Sequence, residues 1–446
     1  ENGGVVLEVN AAPGFRMHLA PSEGIGRNVA EPVVDMLFPA GSKGRIPIVA
    51  VTGTNGKTTT TRLNAHIAKT MGYKVGFTTS DGIYIQNRMM EKGDCTGPVS
   101  AKFVLMDPTI DYAVLECARG GLLKAGLAFD KCDISIVTNV TADHIGLKDI
   151  DSVEEMAKVK SVVPETTRKE GYAILNADDD LVFDMRKNLE CNLVLFSMDE
   201  NNPRIKAHCE RGGVAAVLED GWVSIIKGTW KIRVEKVVNI PLTLGGKAAF
   251  MIQNILPCVA AAFVQNFKIE DLKLALNTFI PSPTMTPGRM NVFKFKHFEM
   301  LVDFAHNPDG FQAISNYLAK VEMHPKVGVI AAAGDRRDED IRELGRIAGR
   351  TFDEIIIRQD KNLRGRTDEE IMNLLKEGIF EINPNMPVIC INPEADSIKY
   401  CIENAKKGSH ITVCSDVIAE ALDLIMQYKE KDDQFEFHKE EIPNMH

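Results

Sequence analysis

Gly53-Thr54-Asn55-Gly56-Lys57-Thr58-Thr59 has the composition of a phosphate cradle. Glycines let backbone N–H groups approach phosphate oxygens, and a helix starting just after them adds positive potential. In such a loop Lys57 reaches the β- and γ-phosphates of a triphosphate, and the Thr58 hydroxyl binds magnesium. The general phosphate-loop pattern also asks for a glycine six residues before the lysine; here that position is Val51. The match is therefore to the narrower GTNGKT variant.

The elements that must position this loop are legible around it. Residues 45–51 (RIPIVAV) are a short apolar run, hence a buried strand, and TTTTRLNAHIAKTMGY after the loop has helical spacing. Further strands are expected at 112–116 (YAVLE), 134–140 (ISIVTNV) and 172–178 (YAILNAD), with helical patterns between several of them. That alternation implies a mostly parallel sheet with helices on both faces. From about 190 to 243, NLVLFSM, AAVLEDGWVSIIKG and KIRVEKVVNIPL read as consecutive strands joined by turns, a small antiparallel sheet attached to the central domain. A helix is expected over 249–266, and the Pro-rich PSPTMTPGRMN (281–291) is an interior linker. Strands at 326–334, 352–360, 387–392 and 409–416, each followed by a helical stretch, make a second α/β unit of Rossmann-like size. The fold class is thus α/β: a P-loop parallel-sheet central domain with a small antiparallel sheet, then a Rossmann-like C-terminal domain. The last dozen residues are charged and expected to fray.

Composition narrows the function classes. The 446 residues are 44% hydrophobic and 26% charged, ordinary for a globular protein of two or three domains. A formal net charge of -10 argues against a nucleic-acid partner, which needs a basic face. No run approaches the roughly 18 consecutive apolar residues of a membrane helix, and no secretion signal is visible. Nine scattered cysteines without a CxxC pair read as reduced thiols, mostly core, in a cytoplasmic protein. The chain opens with Glu1 and runs directly into VVLEVNAAPGF, which suggests a fragment of a longer protein.

GTNGKTTT after a buried strand resembles the nucleotide loop of the Mur ligase family, which includes folylpolyglutamate synthases. The resemblance extends residue by residue over about 45–430. Glu116, ending YAVLE, matches the family's magnesium-binding carboxylate; a strand's C-terminal end does point into the ligand crevice. TNVTADHIG (138–146) is similar to a family segment whose histidine, here His144, ligates a second metal; Asp143 orients the turn or that histidine. Lys160 corresponds to a lysine that the family carbamylates, although neighbouring Lys158 blurs the register. Asn254 keeps the second asparagine of a His-Asn-x-x-Asn pattern whose role is adenine contact, while Phe250 and Met251 replace the first two positions. Arg289, in TPGRMN, matches a hinge arginine that reaches the γ-phosphate. In VDFAHNP, Asp303 is expected near the ribose, and His306 and Asn307 shape the turn above the nucleotide.

The resemblance therefore implies ATP-binding through Gly53, Thr54, Asn55, Gly56, Lys57, Thr58, Thr59, Asn254, Arg289 and Asp303. It implies Mg2+ on Thr58, Glu116 and His144, and catalysis by Lys57, Lys160 and Arg289. Residues 8–39 look like the end of an ATP-grasp domain, with Glu8 and Asn10 as its Glu-x-Asn pair. The expected organisation is 1–44 for this tail and linker, 45–280 for the central ATP-binding domain and 281–446 for the C-terminal domain. An ATP-grasp tail ahead of a Mur-like half, together with AGDRRDEDIRELG (333–345) and IIIRQDKNLRGR (355–366), resembles a two-part synthetase related to this family, and that resemblance implies a ligase adding arginine to the β-carboxyl of a polyaspartate. Asp335, Asp338, Glu339 and Asp340 supply charge to hold the guanidinium, with no choice among them. The expected partners are ATP, arginine, an aspartate polymer and further copies of the same chain, with no nucleic acid and no membrane. Two alternatives stay open: another Mur-type ligase, for folate or peptidoglycan precursors, and a non-catalytic scaffold that only binds nucleotide or polymer.

Overall fold

The computed structural model describes residues 9–12, 14–42, 44–143, 150–359, 363 and 365–440. Residues Glu1–Pro47 form one unit and Ile48–His446 a second. In the first, short helices Arg16–Leu19 and Ala30–Leu37 contain no buried residue. The second is built on two sheets.

The larger sheet has 11 strands. At its centre, Ile48–Thr52 lies between Cys132–Val137 and Tyr112–Glu116, parallel to both. Parallel pairing continues outward through Thr167–Asn176, Asn192–Ser197 and Val214–Glu219 on one side, and Val75–Thr79 on the other. Antiparallel strands Trp222–Lys227 and Trp230–Lys236 extend one edge, and Gly82–Ile85 and Arg88–Lys92 the other. The antiparallel strands expected after residue 190 are thus present, but they continue the central sheet. The first strand of that stretch, Asn192–Ser197, is parallel, because helix Pro203–Glu210 carries the chain back over the sheet before the next strand.

Burial on both faces explains why these strands read as unbroken apolar runs. Val194 and Phe196 join one core with helices Lys57–Thr70 and Ala249–Val264; Leu195 joins the other with helix Val153–Glu165. Helix Ala249–Val264 is buried nearly all round, as a helix between layers must be.

The second sheet has 6 strands in the order Asn291–Lys294, Glu299–Asp303, His410–Cys414, Lys326–Ile330, Glu354–Ile357, Val388–Cys390. All its pairs are parallel except the first. The C-terminal helix runs Ile418–Glu440, so helical backbone reaches into the segment expected to fray. All nine cysteines are free, and only Cys191 and Cys390 are not buried. Among the described residues no helix is long and apolar enough to cross a membrane.

Helices Asp338–Thr351 and Asp368–Ile382 cross where neither carries a side chain. A Cβ on Gly345 would lie 2.3 Å from the Leu375 carbonyl oxygen, and one on Gly378 would lie 2.0 Å from that of Arg342. The opposing atoms are backbone and cannot rotate away. Gly378→Ala is therefore expected to destabilise the C-terminal sheet unit by about 1–3 kcal/mol, read as a lower urea midpoint with unchanged slope.

Candidate active site

The chain leaves strand Ile48–Thr52 through Gly53 at φ +143°, where a Cβ would sit 1.9 Å from Thr138 Oγ1. Glycine is required there for both backbone and space. Thr54 N donates to Asn139 O and Asn55 N to Asn139 Oδ1, both at 2.8 Å. Thr138 Oγ1 and Asn139 Nδ2 donate to Asn55 O at 2.7 and 3.1 Å. Gly56, at φ +85°, precedes helix Lys57–Thr70 and touches Asn254, whose Oδ1 would be 2.1 Å from a Cβ. The first-turn amides of that helix have no intrahelical acceptor, which makes them anion donors. Lys57 Nζ donates to Thr54 O at 2.8 Å.

Next to the loop, Thr58 Oγ1 donates to Glu116 Oε2 at 3.0 Å and lies 3.1 Å from Ser80 Oγ. Glu116 is 3% exposed, and burial raises its carboxyl pKa against the opposing pull of Lys57 and Thr58. A buried carboxylate beside a hydroxyl at the mouth of a phosphate loop is a hard-oxygen donor set that fits magnesium. His144 lies outside the described residues. Lys158 is exposed, whereas Lys160 is buried and faces the cleft. Ser152 caps their helix by accepting from Glu155 N, and Glu154 and Glu155 favour its positive end. Lys160 Nζ donates to Gly53 O at 2.8 Å. Burial, then the Lys57 charge, lowers its pKa to about 7.

The second sheet closes the other side of a cleft of about 1440 Å³. The cleft is lined by the loop, Glu116, Lys160, Asn254, Arg289, Asp303 and His306. Asn307 caps helix Pro308–Leu318, accepting from Gly310 N at 2.8 Å, and donates to Asn55 Oδ1 at 3.1 Å. His306 Nδ1 lies 2.9 Å from Phe304 O, so this pair does shape the turn. Asp303 accepts from Met290 N at 2.9 Å, and burial raises its pKa. Arg289 lies over the Phe304 ring at 4.7 Å and donates to Gly288 O at 3.1 Å. Glu8 lies outside the described residues, and Asn10 falls in the unit that does not carry the cleft.

Sequence reasoning missed two contacts of Asp143 and left the acidic run undivided. Asp143 does more than orient its own turn: its Oδ1 pairs with Arg336 Nη2 at 3.1 Å, and its Oδ2 is 3.8 Å from His306 Nε2. Nothing local marks a partner so far along the chain. In the acidic run, Asp338 pairs with Arg366, Glu339 with Arg346, and Asp340 with Arg337. Of the four, Asp335 lines the cleft. Arg119 and Asn139, which sequence reasoning did not single out, also line it.

The Mur ligase middle-domain model matches residues 51–262, and the Mur ligase glutamate-ligase domain model matches 288–417. The chain belongs to the Mur ligase family. It is 50% identical over 428 residues, 96% of its length, to a cyanophycin synthetase of Geminocystis herdmanii, and covers 49% of that protein. A cyanophycin synthetase of Synechocystis is 49% identical over the same 96%, again with 49% of the relative covered. The chain spans about half the length of these curated relatives. It is also 26% identical over 377 residues to a UDP-N-acetylmuramoyl-L-alanyl-D-glutamate–2,6-diaminopimelate ligase of Caldanaerobacter subterraneus, covering 82% of this chain and 72% of that protein. Among solved structures, E. coli FolC in complex with ADP superposes with a TM-score of 0.64 at 17% identity, covering 87% of this chain and 91% of that one. This last likeness concerns the fold alone.

Gly53→Ala is expected to displace the loop from Thr138 and lower ATP affinity at least about tenfold, the scale of one lost charge-assisted hydrogen bond. Titration calorimetry checks this, with thermal melting to confirm a folded protein.

Proposed function

We propose that this Mur ligase chain is an ATP-dependent carbon–nitrogen ligase that adds L-arginine to the β-carboxyl of a polyaspartate backbone, the reaction of the cyanophycin type. The observation that carries the reading is half-identity to cyanophycin synthetases along 96% of the chain, with the loop, Glu116, Lys160, Asn254, Arg289 and Asp303 lining one cleft.

A carboxylate is a poor electrophile, so ATP first phosphorylates it. The loop amides, Lys57 and Arg289 neutralise charge on the transferring phosphoryl group. Thr58 and Glu116 would hold magnesium, which when bound screens the phosphate charge. Asn254 and Asp303 serve the nucleoside end. The α-amine of arginine then attacks the acyl phosphate, and the tetrahedral intermediate collapses to an amide and phosphate. Positioning does most of the work, because three reactants must meet away from water. Lys160 would act as its carbamate: its low pKa leaves much of the amine neutral near pH 7, and only the neutral amine adds to carbon dioxide, releasing a proton.

Lys57→Ala is expected to lower arginine-dependent phosphate release by about 10³-fold or more, in the range of lost phosphate-clamp groups. Unchanged amide synthesis in that variant would overturn the ligase reading. ATP turnover that stays flat when arginine and polyaspartate are supplied would favour the scaffold, and turnover with folate or muramyl substrates a different ligase.

The Lys160 pKa also sets a pH dependence. The folded value, about 7, lies below the unfolded 10.5. Between them the unfolded chain binds more protons, so the lysine's contribution to stability rises with pH across that window. Lys160→Met should therefore gain most relative to the parent below pH 7, and the difference should shrink toward pH 10. Denaturant titrations at several pH values measure this.

A further inference from the structure

The acceptor implied above ends in an aspartate with two carboxylates: the β-carboxylate to be phosphorylated and the α-carboxylate beside it. They are alike in charge and basicity, so chemistry alone does not choose between them. Selecting one requires holding the other, which calls for a cation outside the phosphate cradle on the acceptor's side of the cleft.

The sheet order says which side that is. Helix Ala249–Val264, bearing Asn254, packs across the strands from Thr167 to Lys227, on one side of the loop strand. A nucleotide with its phosphates on the loop and its base toward that helix leaves the opposite side open. There Tyr112–Glu116 ends and Arg119 follows three residues after Glu116. Arg119 lines the cleft and begins helix Arg119–Ala125. The backbone there is built tightly. A Cβ on Gly121 would lie 2.8 Å from Gly97 Cα and 3.1 Å from Thr96 O, and Ala118 N donates to Thr96 O at 3.3 Å. The root of Arg119 is therefore fixed against the cleft wall.

We infer that Arg119 grips the α-carboxylate of the acceptor's terminal aspartate and so directs phosphorylation to the β-carboxylate. This inference rests on the ligase reading. A guanidinium presents a planar fork that matches a carboxylate in two parallel hydrogen bonds. It also repels the guanidinium of the incoming arginine, which keeps the two substrates from exchanging places. Half-burial of Arg119 strengthens both effects, since partial desolvation raises the energy of each charge contact. Its surroundings fit: burial lowers its pKa from the usual arginine value, Asp143 and Asp335 act against that, and Arg336 adds to it. Exposed Lys124 lines the same wall and supplies further positive charge toward an anionic chain.

The test compares two synthetic acceptors, short β-linked aspartate–arginine oligomers ending in an unmodified aspartate, one with a free α-carboxylate and one with that group amidated. With the full chain, the free acid should show about 10- to 100-fold higher kcat/KM than the amide, the scale of a charge-assisted hydrogen-bonded pair. Arg119→Gln should lose that factor on the free acid, lose almost nothing on the amide, and leave KM for ATP unchanged. Arg119→Lys should recover part of it. Equal losses on both acceptors, or a parent enzyme indifferent to amidation, would overturn the inference while leaving the ligase reading intact. No arginine joined to either acceptor would remove both. An unchanged ATP KM and melting temperature separate loss of the contact from loss of the fold.

Discussion

Every other feature of the cleft depends on how the carbonyls of the loop are disposed. Gly53 O accepts from Lys160, Thr54 O from Lys57, and Asn55 O from Thr138 and Asn139. Three successive acceptors are thus occupied by donors of the protein itself, and none is left to repel a phosphate. What faces the cleft is the positive end of helix Lys57–Thr70. The cost is a buried ammonium, and the lowered Lys160 pKa records it.

The second constraint is that the cleft has walls from two sheets. Asp143, following strand Cys132–Val137, pairs with Arg336, following strand Lys326–Ile330. Both side chains are nearly buried, at 9% and 5% exposure, so loss of either partner breaks a largely desolvated ion pair. Asn55 and Asn307 join the loop to the start of helix Pro308–Leu318. Together these contacts couple the geometry of the loop to the position of the C-terminal sheet. Arg289, Asp303 and Asp335 can then meet Lys57 and Glu116 only when the sheets are apposed. The proposed ligase, which would have to exclude water from an acyl phosphate, has reason to be built this way.

Much of this was legible along the chain because the signals are local. The loop needs glycine at Gly53 and Gly56, whose positive φ other residues resist, and a lysine at the start of the helix. Strands buried on both faces read as near-continuous apolar runs, broken here only at the ends by Glu116 and Asn176, so 112–116 and 172–176 announce themselves. Caps such as Ser152 and Asn307 are set by the four residues around them. The sequence by itself therefore determined the phosphate cradle, the alternation of strand and helix, and the order of the two sheets.

Pairings between distant residues were settled only by the tertiary structure. Lys158 and Lys160 are equivalent in sequence; the helix face turned toward Gly53 distinguishes them. Four acids between 335 and 340 are equally charged, yet helix Asp338–Thr351 gives three of them arginine partners at its surface and leaves Asp335 at the cleft. The strand Asn192–Ser197 reads like its antiparallel neighbours until the crossover helix is placed. In each case the deciding quantity is which surface a residue faces once the chain has returned from far away. Local composition carries no record of that, because the energy belongs to the contact and not to either partner alone.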